Sequence, residues 1–195
     1  RPHPAVASHR GASCELSLGD GGALARLTDL SRRHGATLFM TLLAAFKVLV
    51  YRHTHEADVV VGSPIANRNR PEIEELVGFF VNMQVLRTDL GGNPTFLDAL
   101  QRVKETTLGA WEHQDVPFEV LTSVLQPDRT NANDAFFRVV FALQNAWRGS
   151  LELPGMSIQT MDVVTDTAKL ALTVITEELP DGLDLRMEYS SALFT

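Results

Sequence analysis

The sequence predicts an α/β chain, a two-layer sandwich in which a mixed β-sheet is covered by helices. Three observations predict it. Helical patterning crowds the first half of the chain and strand patterning the last third. Between them lies one strand–loop–helix–strand unit, residues 58–90. The runs 59–61 and 136–143 are apolar throughout, apart from Arg138 in the second, as strands buried inside a sheet are. Early helices, late strands and one alternating unit fit helices packed on a sheet that carries both strand directions.

In chain order, residues 1–10 hold two prolines and no periodicity and read as a connector to something upstream. Residues 13–18 alternate as a strand, and 19–22 form a turn. Leu24, Leu27 and Leu30 set a helical spacing over 23–33, with Gly35 as its stop. Thr37 is the expected N-cap of a helix reaching about Arg52, apolar on nearly every face and so expected in the middle of the core. The strand 59–61 is expected to end at Gly62-Ser63-Pro64, because proline removes a ladder donor. Pro71, with three glutamates behind it, opens a short amphipathic helix that Gly78 ends, and 82–90 reads as the next strand. Gly91-Gly92-Asn93-Pro94 is a turn. Thr95 then caps a long helix whose apolar side is Phe96, Leu100, Val103, Leu108 and Trp111. Pro117 starts a second helix over 118–125, and 127–134 is a polar loop. Residues 157–164 and 169–177 are expected strands, and Pro180-Asp181-Gly182 is a hairpin turn into 183–189.

Composition bounds the function. At 195 residues, 45% hydrophobic and 21% charged, the chain buries a real core as one domain or two. Its net charge of −7 and dispersed basic residues argue against nucleic acid. No apolar run approaches the roughly 20 residues of a spanning helix, which argues against a membrane. The single cysteine, Cys14, excludes an intrachain disulfide, fits a cytoplasmic setting and is expected as a packed core thiol.

Residue chemistry alone supplies no complete catalytic set. His53, His55 and Asp58 resemble metal ligands, yet residues two apart on a helix face different ways and no second ligand cluster exists, so no metal is expected. His113 beside Asp115 has the form of an oriented base. Asp115 and Glu119 are also placed to cap the helix across Pro117, and that structural reading is preferred. Ser63 lacks the glycines of a nucleophile elbow, though its hydroxyl remains able to donate to an oxyanion.

Longer segments carry a resemblance. V-V-G-S-P-I-A-N-R-N-R-P-E-I-E-E-L-V-G-F-F-V-N-M-Q-V-L-R, ending at Arg87, resembles the G-x-F-V-N-T-x-x-x-R segment and its lead-in from condensation domains of nonribosomal peptide synthetases. His113, Gln114, Asp115, Pro117, Phe118 and Glu119 match that family's H-Q-D-x-P-F-E. Residues 127–145 are similar to the next motif, ending F-A-L-Q-N. R-H-G-A-T-L-F-M-T-L-L-A-A-F and E-L-P-G-M also read as family sequence, in family order from residue 1 to 195.

The resemblance implies one lobe of the chloramphenicol-acetyltransferase-like fold. The family's H-H-x-x-x-D-G, which holds its catalytic histidine, occurs nowhere in the chain. Residues 1–195 are therefore expected to be the C-terminal lobe alone, cut just before a last helix and inactive by itself. Met83 stands where the family prefers threonine, Asp134 and Arg138 depart in the third motif, and Ala171 replaces the aspartate of T-A-K-F-D-L. By resemblance, the whole domain joins an acyl or peptidyl thioester to an aminoacyl thioester, both on phosphopantetheine arms of carrier proteins, with no cofactor bound by this lobe. Ser63, Asn82 and Gln84 are the expected tunnel or oxyanion residues, with hydrogen bonding inside the lobe as their competing role. Arg87 and the 113–119 motif are expected to maintain the fold. The implied partners are the N-terminal lobe and carrier proteins, and an isolated lobe is expected to self-associate through its exposed apolar face. A non-catalytic carrier-docking or scaffold module is the alternative. An epimerisation-domain lobe ranks below both, since that relative differs around S-P-I-A-N-R and F-F-V-N.

Overall fold

The computed structural model describes residues 8–19, 21–125, 136–144, 155–156, 165–180 and 182–194. In chain order these form β1 (Gly11–Leu18), α1 (Ala23–Arg33), α2 (Leu38–Thr54), β2 (Asp58–Ile65), α3 (Pro71–Glu74), β3 (Asn82–Asp89), α4 (Phe96–Glu112), α5 (Phe118–Leu125), β4 (Val139–Gln144), β5 (Leu172–Leu179) and β6 (Gly182–Ser190). The six strands form one sheet in the order β1-β6-β5-β4-β2-β3. β4 runs parallel to β5 and β2, and the other neighbours are antiparallel. The sheet is mixed, as the sequence predicts.

Side-chain alternation sorts its two faces. Val59, Val61, Leu86, Phe141 and Val174 project into one apolar cluster with Met40, Leu43 and Ala44 of α2 and Leu100 and Val103 of α4. Register places Ser13, Glu15, Thr173, Arg186 and Glu188 on the opposite, polar face. Both long helices start where their caps dictate. Thr37 accepts the N–H of Met40, and Thr95 accepts that of Asp98 while Asp98 reaches back to the Thr95 N–H.

Several expectations need correction. β2 does not stop at Gly62 but runs through Pro64 to Ile65. Its one registered pair with β4 is Gly62↔Val140, so beyond that point β3 is its only strand partner among the described residues and a proline is tolerated. The amphipathic helix after Pro71 is one turn, Pro71–Glu74, and the apolar residues that would extend it, Leu76 and Val77, are left exposed rather than buried against a core. Cys14 is exposed rather than packed, since β1 is a sheet edge whose later residues are uncovered. α2 buries one face, leaving Leu49 exposed. On α4, Phe96 and Leu108 are exposed, while Ala99 and Thr107 share the buried face with Leu100 and Val103. β4 begins only at Val139. The loop expected at 127–134, the strand expected at 157–164 and Asp181 lie outside the described residues. Among those residues no single helix is long and apolar enough to cross a membrane.

Candidate functional site

The paired strands β2 and β3 bring the three candidate side chains into one row. Ser63 lies opposite Gln84, and Asn82 opposite Ile65, two rungs towards the open end. By alternation Ser63, Gln84 and Asn82 all point to the helix side, in line with Val61 and Leu86.

Their hydrogen-bonding capacities differ. Asn82 is fully engaged. Its amide donates to Gln114 O at 3.0 Å and Val116 O at 2.8 Å, and its Oδ1 accepts Met83 N–H at 2.9 Å and Phe118 N–H at 3.1 Å. Gln84, 7% exposed, donates from Nε2 to Ala110 O at 2.9 Å, near the end of α4. Ser63 is 3% exposed, and its hydroxyl has no hydrogen bond among the described residues. Of the three, Ser63 keeps its donor uncommitted, Gln84 retains an oxygen and one amide hydrogen, and Asn82 retains no donor.

The turn 113–117 is fastened to this row by its backbone. His113 N–H bonds Ala110 O, Val116 N–H bonds His113 O, and the carbonyls of Gln114 and Val116 meet Asn82. The His113 imidazole is exposed and makes no hydrogen bond among the described residues. The expected capping by Asp115 is not found. Its carboxylate accepts Asn69 Nδ2 at 2.7 Å, and the acceptor at the start of α5 is Asn82. Glu119 lies in the first turn of α5, where a negative charge suits the helix dipole.

Arg68 organises the adjoining loop. Its guanidinium donates to the carbonyls of Ile73, Glu74 and Gly78, and lies 4.5 Å from the centre of the Phe80 ring. Asn67, at φ 53°, turns the chain into this loop, and its buried Oδ1 has no hydrogen-bond partner among the described residues. At the far end of the hairpin Arg87 grips Asp58 through Nε and Nη2 at 2.8–3.1 Å. Hydrogen bonds from Arg87 hold the Asp58 carboxyl below its usual 3.8, and the same contact raises the guanidinium's own affinity for its proton. Asp58 is thus committed to Arg87, and His55 turns through φ 60° to close α2.

The sequence reading did not find the Asn69–Asp115 bond, which joins residues 46 apart. Nor did it find the Arg68 anchor or the burial of Lys47. Nothing local in the chain signals any of them. A cavity of about 630 Å³ lies between α1 and the β5–β6 hairpin, lined by Gly22, Ala23, Asp29, Arg32 and Glu178 among others. It contains none of the candidate residues.

This hairpin, its loop and the 113–119 turn are the two longest motifs of the sequence, brought into hydrogen-bonding contact. The family comparison agrees: residues 1–195 match the Condensation domain family throughout. The chain belongs to the condensation-domain family. It is 46% identical over 196 residues to a linear gramicidin synthase protein of Brevibacillus parabrevis, an alignment that covers 100% of this chain and 2% of that protein. The X-domain from teicoplanin biosynthesis superposes with a TM-score of 0.88 at 27% identity, over 100% of this chain and 45% of that one. The same X-domain in complex with OxyB gives a TM-score of 0.86 at 27% identity, with coverage of 100% and 43%. This condensation-family chain therefore spans a small part of that synthase and under half of the X-domain chain.

Proposed function

We propose that the chain is the C-terminal lobe of a condensation domain and works with an N-terminal lobe in nonribosomal peptide synthesis. Together they join a carrier-bound acyl or peptidyl thioester to a carrier-bound aminoacyl thioester. The observation that carries this reading is a family match along the whole chain, in a sequence without H-H-x-x-x-D-G. The amine nitrogen attacks the thioester carbonyl, the new C–N bond replaces the C–S bond, and the donor phosphopantetheine leaves as a thiol. The amine proton passes to the histidine of the other lobe, which returns a proton to the departing sulfur. Ser63, the candidate with its donor uncommitted, stabilises the oxyanion of the tetrahedral intermediate. Gln84 lines the same wall. Asn82 acts through the turn it holds, and Arg87 and residues 113–119 keep the wall in place. The lobe itself binds no cofactor, and its substrates arrive on phosphopantetheine arms in the cytoplasm.

The test adds an N-terminal lobe bearing H-H-x-x-x-D-G in trans, with both carrier proteins loaded, and measures amide product. The pair is expected to make product, the 195-residue chain alone none, and Ser63→Ala is expected to lower kcat about 100-fold. Product from the chain alone would sink the lobe reading. An unchanged kcat in Ser63→Ala would remove the oxyanion role. A second reading, a docking module without catalysis, is favoured by the solved complex of the related X-domain with OxyB. A stable complex with the added lobe and carriers that yields no product would support it.

A further inference from the structure

Lys47 is the largest fully buried side chain among the described residues, 0% exposed, and the reaction proposed above does not use it. It projects from the middle of α2 onto the β2–β3 hairpin. Its Nζ meets Leu86 O at 2.7 Å, Thr88 Oγ1 at 2.8 Å and Val59 O at 3.4 Å. Among the described residues no carboxylate bonds it. The charged groups around it are committed elsewhere. On β2 and β3, Asp58 and Arg87 hold each other. On α4, Arg102 bonds Asp89 O, Lys104 bonds His34 O and Glu105 accepts Gln101. On α1, Asp29 pairs with Arg32 and Arg33. β4 carries no charged residue. Beyond Lys47 the hydrogen bonds continue: Thr88 Oγ1 donates to Thr106 Oγ1 of α4 at 3.4 Å, and Thr106 Oγ1 donates to Arg87 O at 3.1 Å.

Both forms of the Lys47 amine satisfy this site, but with opposite hydroxyl directions. The ammonium has three hydrogens for three acceptors, so Thr88 receives one and its own hydrogen is free for Thr106. The neutral amine has two hydrogens, for Leu86 O and Val59 O, and a lone pair. That lone pair is satisfied when the Thr88 hydroxyl turns round and donates to it, which ends the bond to Thr106. We propose that Lys47, Thr88 and Thr106 form a proton-linked relay in which the charge on Lys47 decides whether β3 is hydrogen-bonded to α4 at Thr88. Burial brings the Lys47 proton affinity down from the ordinary 10.5 to about 7, against an opposing pull from Asp58, so both forms are populated near neutral pH. α4 is also the element whose Ala110 carbonyl holds Gln84, so the relay reports protonation to the row that carries the candidate site.

The test is a pH titration of the unmodified chain by NMR, following the Lys47 Cε and the methyl groups of Thr88 and Thr106. All three signals are expected to move with one shared midpoint near 7. Lys47→Met is expected to abolish the movement of both threonines. Thr106→Val removes the receiver of the relay and is expected to lower the Lys47 midpoint while Thr88 still moves. Should Lys47→Met fail to fold, the unmodified chain and Thr106→Val decide the matter. A Lys47 midpoint in the ordinary lysine range overturns the proposal, and so does a Thr106 signal that ignores the Lys47 titration.

Discussion

The side-chain oxygen of Asn82, on β3, accepts the backbone N–H of Phe118 at 3.1 Å and so supplies the first turn of α5 with an acceptor 36 residues away in the chain. The same side chain donates to the two turn carbonyls ahead of that helix. One amide therefore fixes how β3, the 113–117 turn and α5 meet. Asn82→Ala takes its side-chain partner from two carbonyls and two N–H groups, those of Met83 and Phe118, and at about 1 kcal/mol for each hydrogen bond it is expected to cost about 4 kcal/mol. Urea unfolding measures this. A loss below about 0.5 kcal/mol, the scale of an ordinary surface change, would mean the turn is held by something else.

Gly62 is required by a ring rather than by a backbone angle. A Cβ at this position would sit 2.5–2.7 Å from three carbons of Phe137, which packs over β2 just before β4 begins. Gly62→Ala is expected to destabilise the chain by about 1–3 kcal/mol, as overpacking does. In Phe137→Ala the same substitution should cost much less, giving a non-additive cycle. Additive losses would show that the ring is not the obstacle.

Lys47 makes stability depend on pH. The folded chain gives up this proton at about 7 and the unfolded chain at 10.5, so between those values the unfolded state binds more protons and stability rises with pH. Below 7 the group is charged in both states and contributes no slope. On the acid side Asp58 and Asp98 are held below 3.8 by their partners, and their contribution is lost as pH falls through that region. Unfolding curves at a series of pH values are expected to show the alkaline rise in the unmodified chain and a flat response in Lys47→Met. The same rise in both proteins would assign it to another group.

Much of this was legible in the chain. Thr37 and Thr95 cap as their sequence contexts require, and residues 23–33 and 118–125 form helices with the expected bounds, because each is decided by local chemistry. The resemblance singles out Ser63, Gln84 and Asn82 as candidates, but it does not carry their separate hydrogen-bonding fates. Those fates depend on Ala110 and Val116, which only the fold brings near. Pro64 stayed in its strand for a reason no local signal carries, the loss of β4 as a neighbour beyond Gly62. Cys14 was misplaced because an edge strand and an inner strand share one alternation, and sheet order is not written in either.

The two most exposed large apolar residues among those described, Val77 and Phe79, lie close together in sequence and carry the last prediction. Val77 is 105% exposed and Phe79 90%, with Leu76 and Val81 beside them in the segment that Arg68 anchors. α5 adds Val120, Val124 and Leu125. Arg68 bonds the carbonyls of Glu74 and Gly78 and stacks near Phe80, so it ties the backbone of this segment without covering Val77 or Phe79. Apolar side chains displayed this fully are removed from water by association. The chain is therefore expected to elute at a larger size as its concentration rises in size-exclusion chromatography. The double substitution Val77→Ser with Phe79→Ser is expected to elute as a monomer at every concentration and to unfold at the same urea midpoint, because neither side chain packs against the core. A monomeric profile for the unmodified chain at all concentrations would remove this segment as the associating surface.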